Sequence, residues 1–397
     1  MLSSCGERTE KKDDDRYPGA PVILISIDTL RADHLPAYGY RGGSTPNIDL
    51  LRSDGILFTD AYSHVPLTLP SHVSILTGLL PPEHKVRNNI GYRFSGDPAT
   101  TLPGILKRKG YATGAAVSAY VLRSGTGLGL LFDSYDDDIA SKAGVAVGSL
   151  QRPGSAAVEA AGKFVTENKA RPFFFLLHLF EPHAPYTPPE PFRSGVSDPY
   201  DGEIAAADSY LGEFIRHLKN NDLYDKSIII FLSDHGEGLN EHGEPEHGIF
   251  LYREAIHVPL ILKLPRRQRA GETIGRPVGL IDVLPTIEQL LGVVSTPHSH
   301  AQSLLDGDSD MDERTIYSES LYGRIHLGWS ELRSLIGKDR HFIQAPRPEL
   351  YAFRQDPGER QNILTQERRI YAGLKARLDS FGTAMESPGK IDPEEAA

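Results

Sequence analysis

An α/β sandwich with a mostly parallel central sheet between helices, plus a small C-terminal antiparallel subdomain, is the fold class the sequence predicts. Three observations carry it. Short β-branched and aromatic runs recur through residues 20–300, helical patterns lie between them, and the pattern turns to short strands after about residue 300. Strands that alternate with helices imply a sheet covered on both faces.

Taken in order, residues 1–19 are charged and polar and are expected to form a disordered tail. "PVILISID" is a continuous apolar run of the kind a buried parallel strand requires, and "YATGAAVS", "PFFFLLHLF", "SIIIFLSD" and "VPLILKLP" read the same way. Between them "STPNIDLLRSDG", "TLPGILKRKG", "SAAVEAAGKFVTEN", "DGEIAAADSYLGEFIRHLKNN" and "LIDVLPTIEQLLG" carry helical spacing. "RTIYSES", "WSELRSLIGKDRHFIQ" and "PELYAFRQDPGE" suggest short antiparallel strands, and "TQERRIYAGLKARLDSF" a terminal helix. The expected division is therefore a tail (1–19), a main domain (20–300) and a C-terminal subdomain (301–397).

The net charge of −11 argues against a nucleic-acid groove, though not against a local pocket for a small anion. No stretch reaches the roughly 18 apolar residues needed to span a bilayer. The lone cysteine, Cys5, excludes an intrachain disulfide, while "LSSC" looks like a bacterial lipoprotein box. Membrane contact is expected only through lipidation of Cys5. That would place the protein in the cell envelope; a chance cysteine in a tail would leave it cytoplasmic. The sequence leaves the oligomeric state open.

Ligands of such folds bind at the carboxyl ends of the strands. Asp28 follows "VILISI", "EPH" follows "FFFLLHLF", and "SDHGE" follows "IIIFL". Asp28, Asp234 and His235 offer two carboxylates and an imidazole, a set suited to one divalent ion such as Mn²⁺, Zn²⁺ or Ca²⁺, with Gly236 supplying the turn. In "PLTLPSHVSILTG", Pro70 suits the first turn of a helix running to about Thr77, with Gly78 as its stop. Thr68 would lie against that helix N-terminus, either capping it or, beside a cation, serving as a nucleophile.

These segments, with "SIDTLRADHLPAYGY", "LKRKGYAT", "FFFLLHLFEPHAPY", "LSDHGEGLNEHG" and "HVPLIL", occur in the order found in sulfatases of the alkaline-phosphatase superfamily. From about residue 20 to 360 the chain resembles that family. The resemblance implies an alkaline-phosphatase-like sandwich in which Asp28, Asp234 and His235 bind metal. It implies too that residue 68 is both ligand and nucleophile, and that His183 protonates the leaving group or contacts the transferred anion.

The departures matter as much. Sulfatases carry a cysteine, oxidised to formylglycine, where this chain has Thr68, so that modification is excluded. Thr29 stands at a second acid of the family, His72 at an arginine, Ser118 and Tyr120 at a lysine and a histidine, and His247 at a later lysine. Cations that grip a sulfate are replaced by groups able to be neutral. A threonyl ester has one hydroxyl oxygen and must be cleaved at the transferred group itself, which is well precedented for phosphoryl groups. The leading expectation is a hydrolase or transferase of phosphate mono- or diesters or phosphonate esters, acting on a small anionic ester through Thr68. His72 and His247 would neutralise charge on the transferred group. A sulfatase working without formylglycine, or an inactive anion-binding protein, are the alternatives.

Among weaker candidates, Asn89 resembles a substrate-contacting asparagine of phosphonate-ester hydrolases in the family or is a turn former. His242 and His247, with Glu237 or Asp201, could complete a second metal site, but one metal is favoured. Arg31 and Asp33 read as a structural pair, and His178, inside an apolar strand, as a satisfied core histidine.

Overall fold

The computed structural model describes residues 15–140, 150–194, 196–293, 298–307 and 314–381. The expectations for residues 1–14, Cys5 among them, lie outside the described residues.

The large sheet contains β1 (Val22–Ile27), β2 (Ile56–Tyr62), β3 (Ala112–Ala116), β4 (Ser134–Asp136), β5 (Phe173–Leu179), β6 (Ile228–Ser233), β7 (His257–Lys263), β8 (Thr273–Ile274) and β9 (Val278–Gly279). Its order is β4-β3-β5-β1-β6-β7-β2-β8, with β9 also on β2. β1 pairs in parallel with β5 (Ile23 opposite Phe175) and with β6 (Ile23 opposite Ile229). β7 pairs antiparallel with both β6 and β2, so the sheet is mostly parallel but mixed.

All six residues of β1 and all seven of β5 are buried, because both faces of the sheet are covered. Val22 and Leu24 face a core packed by the helices Thr68–Thr77, Leu102–Arg108 and Val283–Leu291. Ile23, Ile25 and Ile27 face a second core, packed by Gly154–Asn168 and Pro199–Asn220. Each such aliphatic side chain taken fully out of water contributes about 1.5–3 kcal/mol, so both layers hold the strand ends in place.

A separate antiparallel sheet follows, in the order β10 (Ile316–Ser320), β11 (Leu332–Ile336), β12 (His341–Gln344), β13 (Glu349–Tyr351), with the helix Arg368–Leu378 against it. It is joined to the main body by the backbone N–H of Glu319, which donates to the His64 carbonyl at 3.0 Å. No helix among the described residues is long and apolar enough to cross a membrane.

Candidate active site

Because β5, β1 and β6 are neighbours running in parallel, their carboxyl ends present Asp28, His183 and the pair Asp234–His235 to one place. The helix Thr68–Thr77 completes it. Ser71 Oγ donates to the Asp234 carbonyl at 2.8 Å, tying the first turn of that helix to the end of β6. Gly78 ends the helix with a left-handed φ of 67°. The helix begins at Thr68, which puts Pro70 in its first turn as expected, and its N-cap is Leu67. Thr68 is therefore the first helical residue and does not cap. Its Oγ1 lies 3.3 Å from His235 Nε2.

His235 Nδ1 donates to the Gly236 carbonyl at 3.0 Å, which leaves a lone pair on Nε2. That atom faces Asp28 Oδ1 at 3.4 Å and Asp234 Oδ2 at 3.5 Å. Both Asp28 carboxylate oxygens and Asp234 Oδ2 are buried without a hydrogen-bond partner. Three acceptors thus face one another in a place closed to water, an arrangement that a cation would satisfy. Asp28, Asp234 and His235 have the ligand atoms to hold one. Burial pushes both carboxyl groups up, the Asp28 charge adds to the rise at Asp234, and burial holds His235 down at about 4. Gly236 is required by close approach, not by a left-handed turn: a Cβ there would lie 1.9 Å from the Glu254 carbonyl oxygen.

In front of these groups lies a cavity of about 480 Å³ whose walls include Thr68, Asn89, His183, Glu246, His247 and Tyr322. No lysine or arginine is among its described lining residues. His183 stacks on Phe180 at 4.4 Å and donates Nδ1–H to the Ala184 carbonyl at 2.7 Å, so its free nitrogen is Nε2. His247 Nδ1 lies 3.0 Å from Glu237 Oε1. Burial lowers both histidines, His247 to about 4. Asn89 accepts the Leu69 N–H at 2.8 Å through Oδ1, satisfying a free donor of the helix start, and its position on the cavity wall is kept by that bond.

Other candidates stand apart from the cavity. His72 is fully buried behind Thr68 and donates Nδ1–H to the Thr68 carbonyl at 2.8 Å. Burial holds it at about 4, so it is neutral near pH 7. Ser118 is buried off the cavity wall, and the Tyr120 ring is covered by the Arg123 guanidinium at 4.5 Å. His242 is spent on Glu254, stacks on Tyr252 at 3.6 Å, and meets the Glu359 carbonyl, while Asp201 binds His34 and Tyr40. Neither belongs to a metal-capable group among the described residues. Arg31 and Asp33 do form a bidentate pair, at 2.9 and 2.7 Å.

His178 is not a satisfied core histidine. It is fully buried, its Nε2 lacks a hydrogen-bond partner, and that atom lies 3.5 Å from Asp28 Oδ2. With His72 and Asp234 it makes a second group able to hold a metal ion. It sits in β5 opposite Ser26 of β1, two residues before Asp28, a pairing that the sequence alone does not give.

The Sulfatase family model matches residues 21–293. Arylsulfatase from Clostridium perfringens is 21% identical over 90% of this chain and 92% of its own length. N-acetylgalactosamine-6-O-sulfatase from Bacteroides thetaiotaomicron is 21% identical over 96% of this chain and 97% of its own. The crystal structure of phosphonate monoester hydrolase from Agrobacterium radiobacter superposes with a TM-score of 0.75 at 21% identity, covering 91% of this chain and 95% of that one. With the family model spanning well over half its length, and a carboxylate–imidazole centre at the strand ends, the chain belongs to the sulfatase family of ester hydrolases, within the alkaline-phosphatase superfamily.

Proposed function

We propose that the protein is a metal-dependent hydrolase of phosphoric or phosphonic esters that forms a covalent intermediate on Thr68. The observation that carries this reading is a threonine hydroxyl, not a modified cysteine, 3.3 Å from the imidazole of the carboxylate–histidine centre. The fold neighbour named as a phosphonate monoester hydrolase supports it, as does a cavity wall without lysine or arginine.

A divalent cation held by Asp28, Asp234 and His235 would favour the ionised hydroxyl and offset charge on the transferred group. Thr68 Oγ1, its proton lost to solvent, bonds to phosphorus in line with the leaving oxygen, and the phosphorus–leaving-oxygen bond breaks. His183 Nε2 is the atom that gives a proton to that oxygen. Its buried imidazole takes the proton up when an anionic ester lies beside it, because the ester's charge opposes the effect of burial. Water then attacks phosphorus, the bond to Thr68 Oγ1 breaks, and His183 receives a proton. His247 and Asn89 contact the transferred group from the cavity wall.

A second reading, sulfuric ester hydrolysis through the same threonine, is favoured by the names of the relatives. Matched p-nitrophenyl sulfate, phosphate, phosphodiester and phenylphosphonate esters, each assayed with wild type and Thr68→Ala, separate the two. Phosphorus-ester turnover above sulfate turnover and lost in Thr68→Ala is expected. Sulfate turnover alone would establish the second reading, and wild-type rates in Thr68→Ala would overturn both.

A further inference from the structure

A second cavity, of about 240 Å³, lies beside the first and differs from it in character. Its walls include Phe250, Leu251, Trp329, Leu332, Ile343 and Ala345, and no lysine, arginine or histidine is among its described lining residues. Two of its polar side chains are already spent on the protein. Ser320 Oγ donates to the Gly248 carbonyl, and the Glu349 carboxylate accepts the Tyr252 and Tyr351 hydroxyls at 2.9 Å each. What the walls offer a ligand is mainly apolar and aromatic surface.

The helix Tyr322–Leu327 stands between the two cavities, and residues four apart share one of its faces. Tyr322 lines the cavity in front of Thr68; His326 packs on its ring at 4.4 Å and meets Asn88 Oδ1, on the same wall, at 3.3 Å. The next residue, Gly323, lines the apolar cavity, and its carbonyl accepts the Trp329 backbone N–H at 3.0 Å. A second segment divides its residues in the same way. His247 lines the first cavity and Ile249 the other, so Gly248 alone separates them in the chain. A Cβ on Gly248 would lie 3.2 Å from Leu67 and 3.6 Å from Tyr322, both on the first cavity's wall. Trp329 is 58% exposed and Leu327, on the Gly323 face of the helix, 47%. Two of the four exposed large apolar side chains among the described residues thus belong to this one short stretch, which points to a ligand that covers them.

We propose that the second cavity is a subsite for an apolar organic group of the ester, an aryl ring or short alkyl chain whose phosphorus end lies at Thr68. This rests on the phosphorus-ester reading above. An apolar cavity of about 150 Å³ takes a benzene molecule, so one of about 240 Å³ has room for a ring and a short chain. Trp329 is the chain's one tryptophan, and its fluorescence therefore reports on this cavity directly and without turnover.

Methyl-, butyl- and 4-phenylbutylphosphonate carry no ester bond to cleave. They are titrated into the full chain with Mn²⁺, as wild type and Ala345→Phe, with calorimetry for affinity and Trp329 emission for place. Each methylene that enters the cavity should tighten binding about three- to fourfold. Phenylbutylphosphonate should therefore bind wild type about 30-fold or more tightly than methylphosphonate. It should also move Trp329 emission to shorter wavelength and shield it from acrylamide, while methylphosphonate leaves the emission unchanged. Ala345→Phe fills the cavity, so it should bind methylphosphonate as wild type does and lose most of the gain with chain length. Equal affinity for the three, a gain without any change at Trp329, or a gain that Ala345→Phe keeps would each overturn the subsite and leave the phosphorus-ester reading standing. A wild type that binds none of the three would overturn both. If Ala345→Phe does not fold, the affinity series and Trp329 emission of wild type still decide.

Discussion

Thr68 and His235 meet at 3.3 Å although they come from different layers, one from the first turn of a helix and the other from the end of β6. The contact puts the threonine hydroxyl among the acceptors of the candidate metal centre, and makes residue 68 the point on which the chemistry turns. Thr68→Ala should lower kcat/KM by about 10³-fold or more, as loss of a nucleophile does, while Thr68→Ser keeps a measurable part of the rate. Metal content should survive in both, since three other ligands remain. Steady-state kinetics beside metal analysis checks this, and an active alanine variant would remove Thr68 from the mechanism.

The pH dependence of metal binding follows from Asp234. Burial, with the Asp28 charge, raises its carboxyl to about 7 from an ordinary 3.8. In metal-free protein the native state therefore binds a proton that the unfolded chain has already released between those values. That contribution to stability is complete below pH 3.8 and is lost as pH rises through about 7. His235, held near 4, is already neutral across most of this window and does not compete with a cation for a proton. A bound cation removes the carboxylate penalty and adds its own binding energy to the folded state. The rise in Tm on adding Mn²⁺ should thus be larger at pH 8 than at pH 5. A rise that is flat or shrinks with pH would show that these carboxylates do not hold the ion.

Gly236 tests whether the backbone after the ligands must stay as close-packed as it is. A methyl group there meets the Glu254 carbonyl oxygen at 1.9 Å, and backbone cannot swing aside as a side chain can. Gly236→Ala should cost about 1–3 kcal/mol or more by overpacking and weaken metal binding, because Asp234 and His235 immediately precede it. Urea unfolding and competition with a fluorescent chelator read the two effects separately. An alanine variant with wild-type stability would mean that the loop relaxes freely.

The strand ends were legible because β1, β5 and β6 are almost wholly apolar runs, each followed by a cluster of acids or histidines that marks where the strand leaves the core. Asp28, His183 and Asp234 could be placed from that alone. β2 was not legible. "ILFTDAY" follows the helix Pro46–Asp54 almost at once, and it places the buried Asp60 inside the strand, where an apolar run would be expected. The direction of β7 was equally hidden, since an apolar run reads the same whichever way it pairs. His178 was misjudged for a related reason. Alternation shows that its side chain enters a face of the sheet, but its neighbours there are His72 from a helix and Asp28 from another strand, and period-two spacing carries no information about either. His72 itself was expected at the substrate; it turns instead toward the backbone of its own helix at Thr68, four residues earlier, a contact set by helical geometry.

An ion pair between Arg87 and Glu319 ties the second sheet to the segment that leads into the cavity wall. Arg87 grips Glu319 of β10 through two bonds, Nε to Oε1 at 2.7 Å and Nη2 to Oε2 at 2.6 Å, and Tyr317 donates to Oε2 at 2.7 Å. Arg87 is 5% exposed and Glu319 is buried completely, so removing either partner leaves a charge in the interior. Glu319→Ala or Arg87→Ala should each cost about 3–5 kcal/mol. Replacing both, as Arg87→Met with Glu319→Leu, should recover part of that loss, because no unpaired charge then remains. Asn88 and Asn89 follow Arg87 directly and form part of the cavity wall, so the single variants should also raise KM more than they lower kcat. Urea unfolding and steady-state kinetics on the four proteins measure both effects. A double variant less stable than either single would show that the pair holds the two sheets together by its own hydrogen bonds and not merely by avoiding a stranded charge.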